Sequence, residues 1–372
     1  MITNFTVQFD PMEFKNLIIK WYNENRRNLP WRDTDNPYHI WISEVILQQT
    51  RVVQGLDFYN RFISTFPTIK DLANADIDRV MKVWQGLGYY TRARNLHAAA
   101  NQIMDDYDGM LPTTYTELLK IKGLGPYSAG AIASFAFKEV VPAIDGNVYR
   151  VLSRIYGMFT SSETSSGKKE FFNLTMELID KKNPDTFNQA LLDFGAIQCI
   201  PRNPNCLDCP FNDICYAYRN NLISQLPVKG KKVATRDRFL NYIIIRYKDS
   251  TFIQRREGSD IWNSLYEFPL IETNKSVELN SLIEEQSWKD LFGKENLIIL
   301  YSSQPIKHLL SHQTLYTKFT IVEINKPSYF LMSNYLKISI PDIQEYSTPK
   351  VIDNFLAAEP SEKYFRNRGY LE

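Results

Sequence analysis

The sequence predicts a multidomain protein: an all-α domain over residues 1–225, a linker over 226–238 and an α+β domain over 239–372. Three observations predict it. Apolar residues recur at helical spacing in the first part, as at Phe14, Leu17, Ile18, Trp21 and Tyr22. The stretch Leu226–Arg238 combines Pro, Gly and many basic residues with no apolar periodicity, which reads as a linker. Beyond it, residues 239–247, 251–255, 297–302 and 315–324 have the apolar and β-branched character of strands, with helical segments near 276–292 and 349–358.

A chain of 372 residues is long enough for two or three domains with sizeable cores. The hydrophobic share of 44% and charged share of 23% are those of an ordinary globular protein. A formal net charge of +1 gives no bulk attraction to nucleic acid, so any such contact needs local basic residues, as around Lys120, Lys122 and Arg150. The first ten residues lack the basic start and apolar core of a secretory signal. No apolar run reaches the roughly 18 residues of a membrane span. All four cysteines fall between 199 and 215. The expectation is a cytoplasmic protein with a metal site in a reducing compartment.

Residues 12–27 are predicted helical, followed by a turn rich in guanidinium and aromatic groups, Arg26-Arg27-Asn28-Leu29-Pro30-Trp31-Arg32. In 38–53, Trp41, Ile42, Val45 and Ile46 form an apolar stripe with Glu44 at its edge. A glutamate against such a surface has the raised pKa a general acid requires, although a solvated edge glutamate fits the same pattern. Residues 67–105 suggest two helices around the turn Gly86-Leu87-Gly88-Tyr89-Tyr90. A large side chain between glycines is either a wedge for a base stack or ordinary core.

Residues 118–150 read as helix, glycine turn, helix and a second turn with one carboxylate. Gly123-Leu124-Gly125 ends one helix and Pro126 suits the first turn of the next. The uncapped N–H groups of such a turn suit a phosphate oxygen, and a plain helix connector has the same sequence. Asp145 stands in N-cap position before Val148, Val151, Leu152 and Ile155. Residues 171–197 read as helix and lead into Cys199-x6-Cys206-x2-Cys209-x5-Cys215, a ligand set for zinc or an iron–sulfur cluster.

The paired turn and aspartate resemble the helix-hairpin-helix DNA glycosylases, and Ser43-Glu-Val-Ile-Leu-Gln-Gln-Thr50 resembles the catalytic helix of their MutY-type adenine DNA glycosylases. The 86–90 turn is similar to that family's duplex probe, and the cysteine spacing to the superfamily's iron–sulfur loop. Ile261-Trp-Asn-Ser-Leu-Tyr-Glu-Phe-Pro269 resembles the Nudix-like domain that ends such proteins, without a glutamate-rich hydrolase box after it.

The resemblance implies a helix-hairpin-helix glycosylase domain in two halves, about 28–140 and 1–27 plus 141–225, then a Nudix-like recognition domain. It implies a monofunctional enzyme that flips and excises adenine opposite 8-oxoguanine or guanine in double-stranded DNA. Glu44 would protonate adenine and Asp145 would stabilise the sugar cation, with Tyr127 and Asn147 orienting them. Arg27, Trp31, Arg32, Leu47 and Asp193 would form the adenine pocket, Asp193 standing where some relatives have glutamate. Gln49, Thr50, Leu87, Tyr89, Gly123, Gly125, Ser311 and His312 would meet DNA. In the family's Phe-Ser-His loop, Leu310 replaces the phenylalanine. Cys199, Cys206, Cys209 and Cys215 would hold a 4Fe–4S cluster. The expected protein is a nucleoid-associated monomer without membrane contact. A bifunctional lyase would need a lysine where Tyr127 stands, a DNA-binding module without catalysis would not need Glu44 with Asp145, and a Nudix hydrolase would need the box.

Overall fold

A computed structural model describes residues 10–230, 235–293 and 295–358; the centre of the expected linker, 231–234, and the first nine residues lie outside them. The helices are α1 (Pro11–Asn25), α2 (Pro37–Leu47), α3 (Val52–Thr65), α4 (Ile69–Ala73), α5 (Ile77–Trp84), α6 (Thr91–Asp106), α7 (Tyr115–Leu118), α8 (Pro126–Phe137), α9 (Gly146–Tyr156), α10 (Ser165–Leu178), α11 (Pro184–Asp193) and α12 (Tyr216–Arg219). The strand-rich part follows with β1 (Arg236–Arg246), β2 (Ser250–Arg255), β3 (Tyr266–Glu267), β4 (Leu270–Thr273), α13 (Leu279–Leu282), α14 (Gln286–Phe292), β5 (Leu297–Ser302), β6 (Ile306–Leu309), β7 (Gln313–Ile324), α15 (Tyr329–Asn334), β8 (Leu336–Ser339) and α16 (Lys350–Leu356). An all-α part followed by an α+β part is the predicted fold class.

By contact the chain divides into two compact units, one of residues 10–74 and 95–230, the other of 75–94 and 235–358. In the first, α2 packs on α3 and α8, and α1 on α10 and α11. Helix α2 is apolar nearly all round, with everything from Tyr38 to Ile46 buried except His39, so it is a central helix and not an amphipathic surface one. The single helix expected over 171–197 is two. Chain direction breaks at residues 179–183, because Pro184 cannot supply an interior N–H and instead opens α11. After α11 the backbone widens to a π-helical turn, Phe194–Gln198, that delivers Cys199.

In the second unit, β1 and β7 run parallel at the centre of a five-stranded sheet, β4-β1-β7-β5, with β6 also pairing β7. A separate three-stranded sheet has the order β3-β2-β8. Leu240, Tyr242, Ile244, Leu315, Phe319 and Phe355 build one core, and Ile243, Ile245, Phe252, Trp288 and Val322 the other. Adjacent residues of β1 enter opposite cores, as the two-residue strand period requires. The short strands β3, β4, β6 and β8 carry no readable alternation; each has four residues or fewer and depends on its neighbour for pairing. Arg238 spans Asp260 and Glu272, and Arg256 spans Asp260 and Glu267, so the buried charges of this unit are internally paired.

Candidate active site

Arg27, Trp31, Arg32, Glu44, Leu47, Gln49, Thr50, Gly123, Gly125, Tyr127, Asp145 and Asn147 line a single cavity of about 960 Å³ in the first unit. Three helix ends build it. The C-terminal end of α2 supplies Glu44 and Leu47, the start of α8 supplies Tyr127, and the start of α9 supplies Asp145 as N-cap.

The glycine turn has the conformation its sequence calls for. Gly123 takes φ +80°, where an L side chain is strained, and a Cβ there would meet Asn95 at 2.7 Å. Gly125 is the N-cap of α8 and Pro126 its first residue, with no side chain capping the helix N–H groups. Gly130 lets α8 approach the segment leading to Asp145, since a Cβ would lie 2.3 Å from the Pro142 carbonyl oxygen.

Glu44 is 6% exposed, and burial pushes its pKa up to about 7 despite the Tyr127 hydrogen bond and the nearby Arg32 charge. Tyr127 Oη donates to Glu44 Oε2 at 2.6 Å. Burial also raises the pKa of Asp145, opposed by the bonds it accepts: from the N–H groups of Asn147 (2.7 Å) and Val148 (3.0 Å) at Oδ1, and from Asn147 Nδ2 (2.7 Å) at Oδ2. The sequence places Asp145 and Glu44 about a hundred residues apart; the fold brings both to one cavity. One carboxyl is poised to hold a proton near neutral pH, and the other sits in a shell of donors that favours its anion.

Asp193 does not line the cavity wall. It is fully buried behind it and accepts from Arg27 Nε at 2.9 Å and Arg32 Nη2 at 2.6 Å, with a further bond from Arg32 Nη1 to Oδ2. These two arginines hold its carboxyl below the ordinary range in spite of burial. Its shorter side chain thus fixes both guanidinium groups. Trp31 packs edge-on against Tyr59.

By sequence Arg150 is a local positive charge; the fold gives it a further part. It is 8% exposed and donates to Asn147 Oδ1 (2.8 Å), the Gly195 carbonyl (2.7 Å) and the Cys199 carbonyl (2.7 Å). The sequence signal for this is the three-residue spacing from Asn147 on one helix face. Gln48, which no sequence motif singles out, donates to Ser128 Oγ at 2.9 Å beside Tyr127.

Leu87, Tyr89, Ser311 and His312 belong to the second unit. Leu87, between Gly86 and Gly88 of positive φ, is 7% exposed, whereas Tyr89, which follows Gly88, is 52% exposed and has φ +49° itself. The segment 310–313 is the tight turn joining β6 to β7, closed by Leu310 N–H to the Gln313 carbonyl at 2.8 Å. Leu310 packs on the sheet core, and Ser311 Oγ lies 3.3 Å from Tyr89 Oη.

Cys199, Cys206, Cys209 and Cys215 are all free of disulfides and line one small cavity of about 20 Å³ with Ile155, Phe194 and Ile223. Burial pushes the Cys209 thiol up to about 12 and that of Cys215 to about 11. Among the described residues, no group of three or more His, Cys, Asp or Glu is arranged about a single-ion site.

Residues 42–180 match the helix-hairpin-helix superfamily of base excision DNA repair proteins, and residues 241–358 match the Nudix domain. An adenine DNA glycosylase of Buchnera aphidicola subsp. Baizongia pistaciae is 36% identical over 328 residues, covering 86% of this chain and 89% of that one. The chain belongs to the adenine DNA glycosylase family. The enzyme of the same name from Buchnera aphidicola subsp. Acyrthosiphon pisum is 31% identical over 92% of this chain and 97% of its own. The mouse adenine DNA glycosylase is 37% identical over 58% of this chain and 44% of its own. Among solved structures, a thermostable thymine-DNA glycosylase matches with TM-score 0.53 and 29% identity over 56% of this chain and 97% of that one. An endonuclease III–DNA covalent intermediate matches with TM-score 0.50 and 22% identity over 58% of this chain and 100% of that one, a likeness of fold. The chain is thus a DNA-repair glycosidase of a helix-hairpin-helix part followed by a Nudix-like part. No helix among the described residues is long and apolar enough to cross a membrane.

Proposed function

We propose that this glycosylase excises adenine paired with 8-oxoguanine or guanine and leaves the abasic strand intact. The observation that carries the reading is the convergence of Glu44 and Asp145 on one cavity, with Glu44 titrating near 7. The glycosidic bond lies inside a duplex, so adenine must leave the stack to reach that cavity. Protonated Glu44 donates to a ring nitrogen of adenine. The base departs with the bonding electron pair, and positive charge develops on the sugar. Asp145 faces that charge as a carboxylate oriented by Asn147, in the manner of two-carboxylate glycoside hydrolysis. Water adds to the sugar carbon and gives up its proton to the Glu44 carboxylate, which restores the acid. Arg27, Trp31, Arg32 and Leu47 form the adenine pocket, and Asp193 sets the two guanidinium groups. Gly123, Gly125, Gln49 and Thr50 meet the DNA backbone and the opposite strand.

Cys199, Cys206, Cys209 and Cys215 hold a 4Fe–4S cluster in this reading; their shared cavity and the four-thiol donor set support it. When bound, such a cluster closes all four thiolates on one centre and cross-links the loop, leaving no open position for substrate. The expected preparation is brown with about four irons per chain.

The test incubates the full chain with duplexes carrying adenine opposite 8-oxoguanine, adenine opposite guanine, and oxidised pyrimidines. Free adenine from the first two with an unbroken strand is expected. Release of a pyrimidine, or a borohydride-trapped Schiff base formed as fast as base release, overturns the reading, because Tyr127 offers no amine.

A further inference from the structure

Arg154 is among the largest fully buried side chains, 2% exposed. Its donors go to neutral acceptors: Nε to the Leu226 carbonyl at 3.1 Å, Nη1 to the Ile200 carbonyl at 2.8 Å, Nη2 to the Pro201 carbonyl at 3.0 Å, and Nη1 to Cys199 Sγ at 3.4 Å. Its own carbonyl accepts from the Cys215 thiol at 3.4 Å. None of the ion pairs among the described residues includes it.

A guanidinium does not shed its proton, and a buried charge without a counter-charge carries the desolvation cost uncompensated. Arg150 adds a second cation one helical turn earlier, and each is placed against Cys199. Helix α9 therefore carries two positive charges toward four cysteines that are neutral while they remain thiols. Binding a metal centre ionises them.

We infer that Arg154 is the buried counter-charge of the thiolate-bound centre. It donates an N–H to Cys199 Sγ and, through Nε, fixes Leu226, the last buried residue before Lys229. This rests on the cluster reading above. Arg154 is a positioning residue: it reaches the centre through a ligand and does not line the Glu44 cavity. Positive charge and N–H bonds at a ligand sulfur favour the more reduced cluster and raise its potential.

The experiment compares the full wild-type chain with Arg154→Met and Arg154→Lys, each prepared anaerobically with iron. It reads the rate of iron loss to a chelator, the cluster potential by voltammetry, and trypsin cleavage between 222 and 238. Arg154→Met is expected to weaken iron retention about 10- to 100-fold, the usual effect of losing an outer-shell partner. Its remaining cluster shifts to more negative potential, and cleavage near Lys229 accelerates. Arg154→Lys keeps the charge but not the fork, so its potential stays nearer wild type while cleavage still accelerates. Wild-type potential and iron retention in Arg154→Met overturn the inference. If that variant does not accumulate, Arg154→Lys with wild-type iron retention and wild-type cleavage overturns it instead. Should the wild-type chain carry zinc, the iron–sulfur reading falls, and the counter-charge is then judged on chelation rates alone.

Discussion

Tyr127 donates its hydroxyl to Glu44 across 2.6 Å, joining the first turn of α8 to the last turn of α2. The bond favours the Glu44 anion and so opposes the burial that raises its pKa. If protonated Glu44 is the acid, adenine release falls as pH rises through about 7, tenfold per unit once well above it. Tyr127→Phe removes the opposing bond and moves this alkaline limb upward. Single-turnover rates between pH 5.5 and 9 check it; the range brackets the value by about two units. A limb that stays in place would show that Glu44 is not the titrating acid. The raised pKa also has a stability consequence. Between the unfolded value and about 7, the native state binds the extra proton, so stability falls as pH rises through this window.

Asp145→Asn keeps the size of the N-cap and loses its charge. Removing electrostatic stabilisation preorganised for a developing charge typically costs about 100- to 1,000-fold in rate. Glu44→Gln removes the proton donor and is expected to be comparably damaging, while duplex binding survives in both. Either variant releasing adenine within a few-fold of wild type in a single turnover would remove it from the catalytic assignment.

Much of this arrangement was legible in the chain. Asp145 reads as an N-cap from Gly146 and the apolar spacing after it, and it is one. Gly123 to Pro126 reads as a turn into a helix because the backbone preferences of Gly and Pro are local. What the sequence could not supply was depth. Nothing near Glu44 states that it is 6% exposed, because its burial comes from α8, some eighty residues away. The same holds for Asp193, whose arginine partners lie more than 160 residues earlier. Leu87 and Tyr89 are both large side chains beside Gly88 in one glycine turn, and only packing separates the buried leucine from the exposed tyrosine.

Asp193 also yields a stability prediction. Its side chain is inaccessible to solvent, and that of Arg32 is only 12% exposed. Breaking a buried pair by removing one partner costs about 3–5 kcal/mol, here moderated by the greater exposure of Arg27. Asp193→Asn should therefore lower the unfolding free energy, and it should weaken adenine release because both guanidinium groups lose their anchor. Asp193→Glu restores the charge and should recover part of both. The carboxyl is held below its unfolded pKa, so its contribution is present above that value and fades as pH falls through the folded one. Denaturant melts at neutral and acidic pH check the sign: equal loss for Asp193→Asn at both would show that charge pairing is not the cause.

The last prediction concerns the opposite base. Adenine is a normal base, so selectivity has to come from what it faces. The turn between β6 and β7 presents Ser311, whose hydroxyl both donates and accepts, 3.3 Å from the exposed Tyr89 hydroxyl. Such a pair suits the N7–H and O8 edge that distinguishes oxidised guanine from guanine. Leu310 packs on the sheet core, which anchors the turn without the phenylalanine of the family's loop. Replacing Ser311 and His312 by alanine should reduce the preference for 8-oxoguanine over guanine by about 1–3 kcal/mol, the worth of a specific base contact. Excision of adenine once bound should persist, since Glu44 and Asp145 are untouched. Tyr89→Phe removes only the hydroxyl beside Ser311. If the two hydroxyls act as one reader, combining Tyr89→Phe with Ser311→Ala costs less than the sum of the single changes. Excision rates opposite both bases for the Ser311/His312 double alanine, Tyr89→Phe, Ser311→Ala and the Tyr89/Ser311 combination decide the matter. An unchanged preference in all of them would move discrimination to Gln49, Thr50 and Leu87.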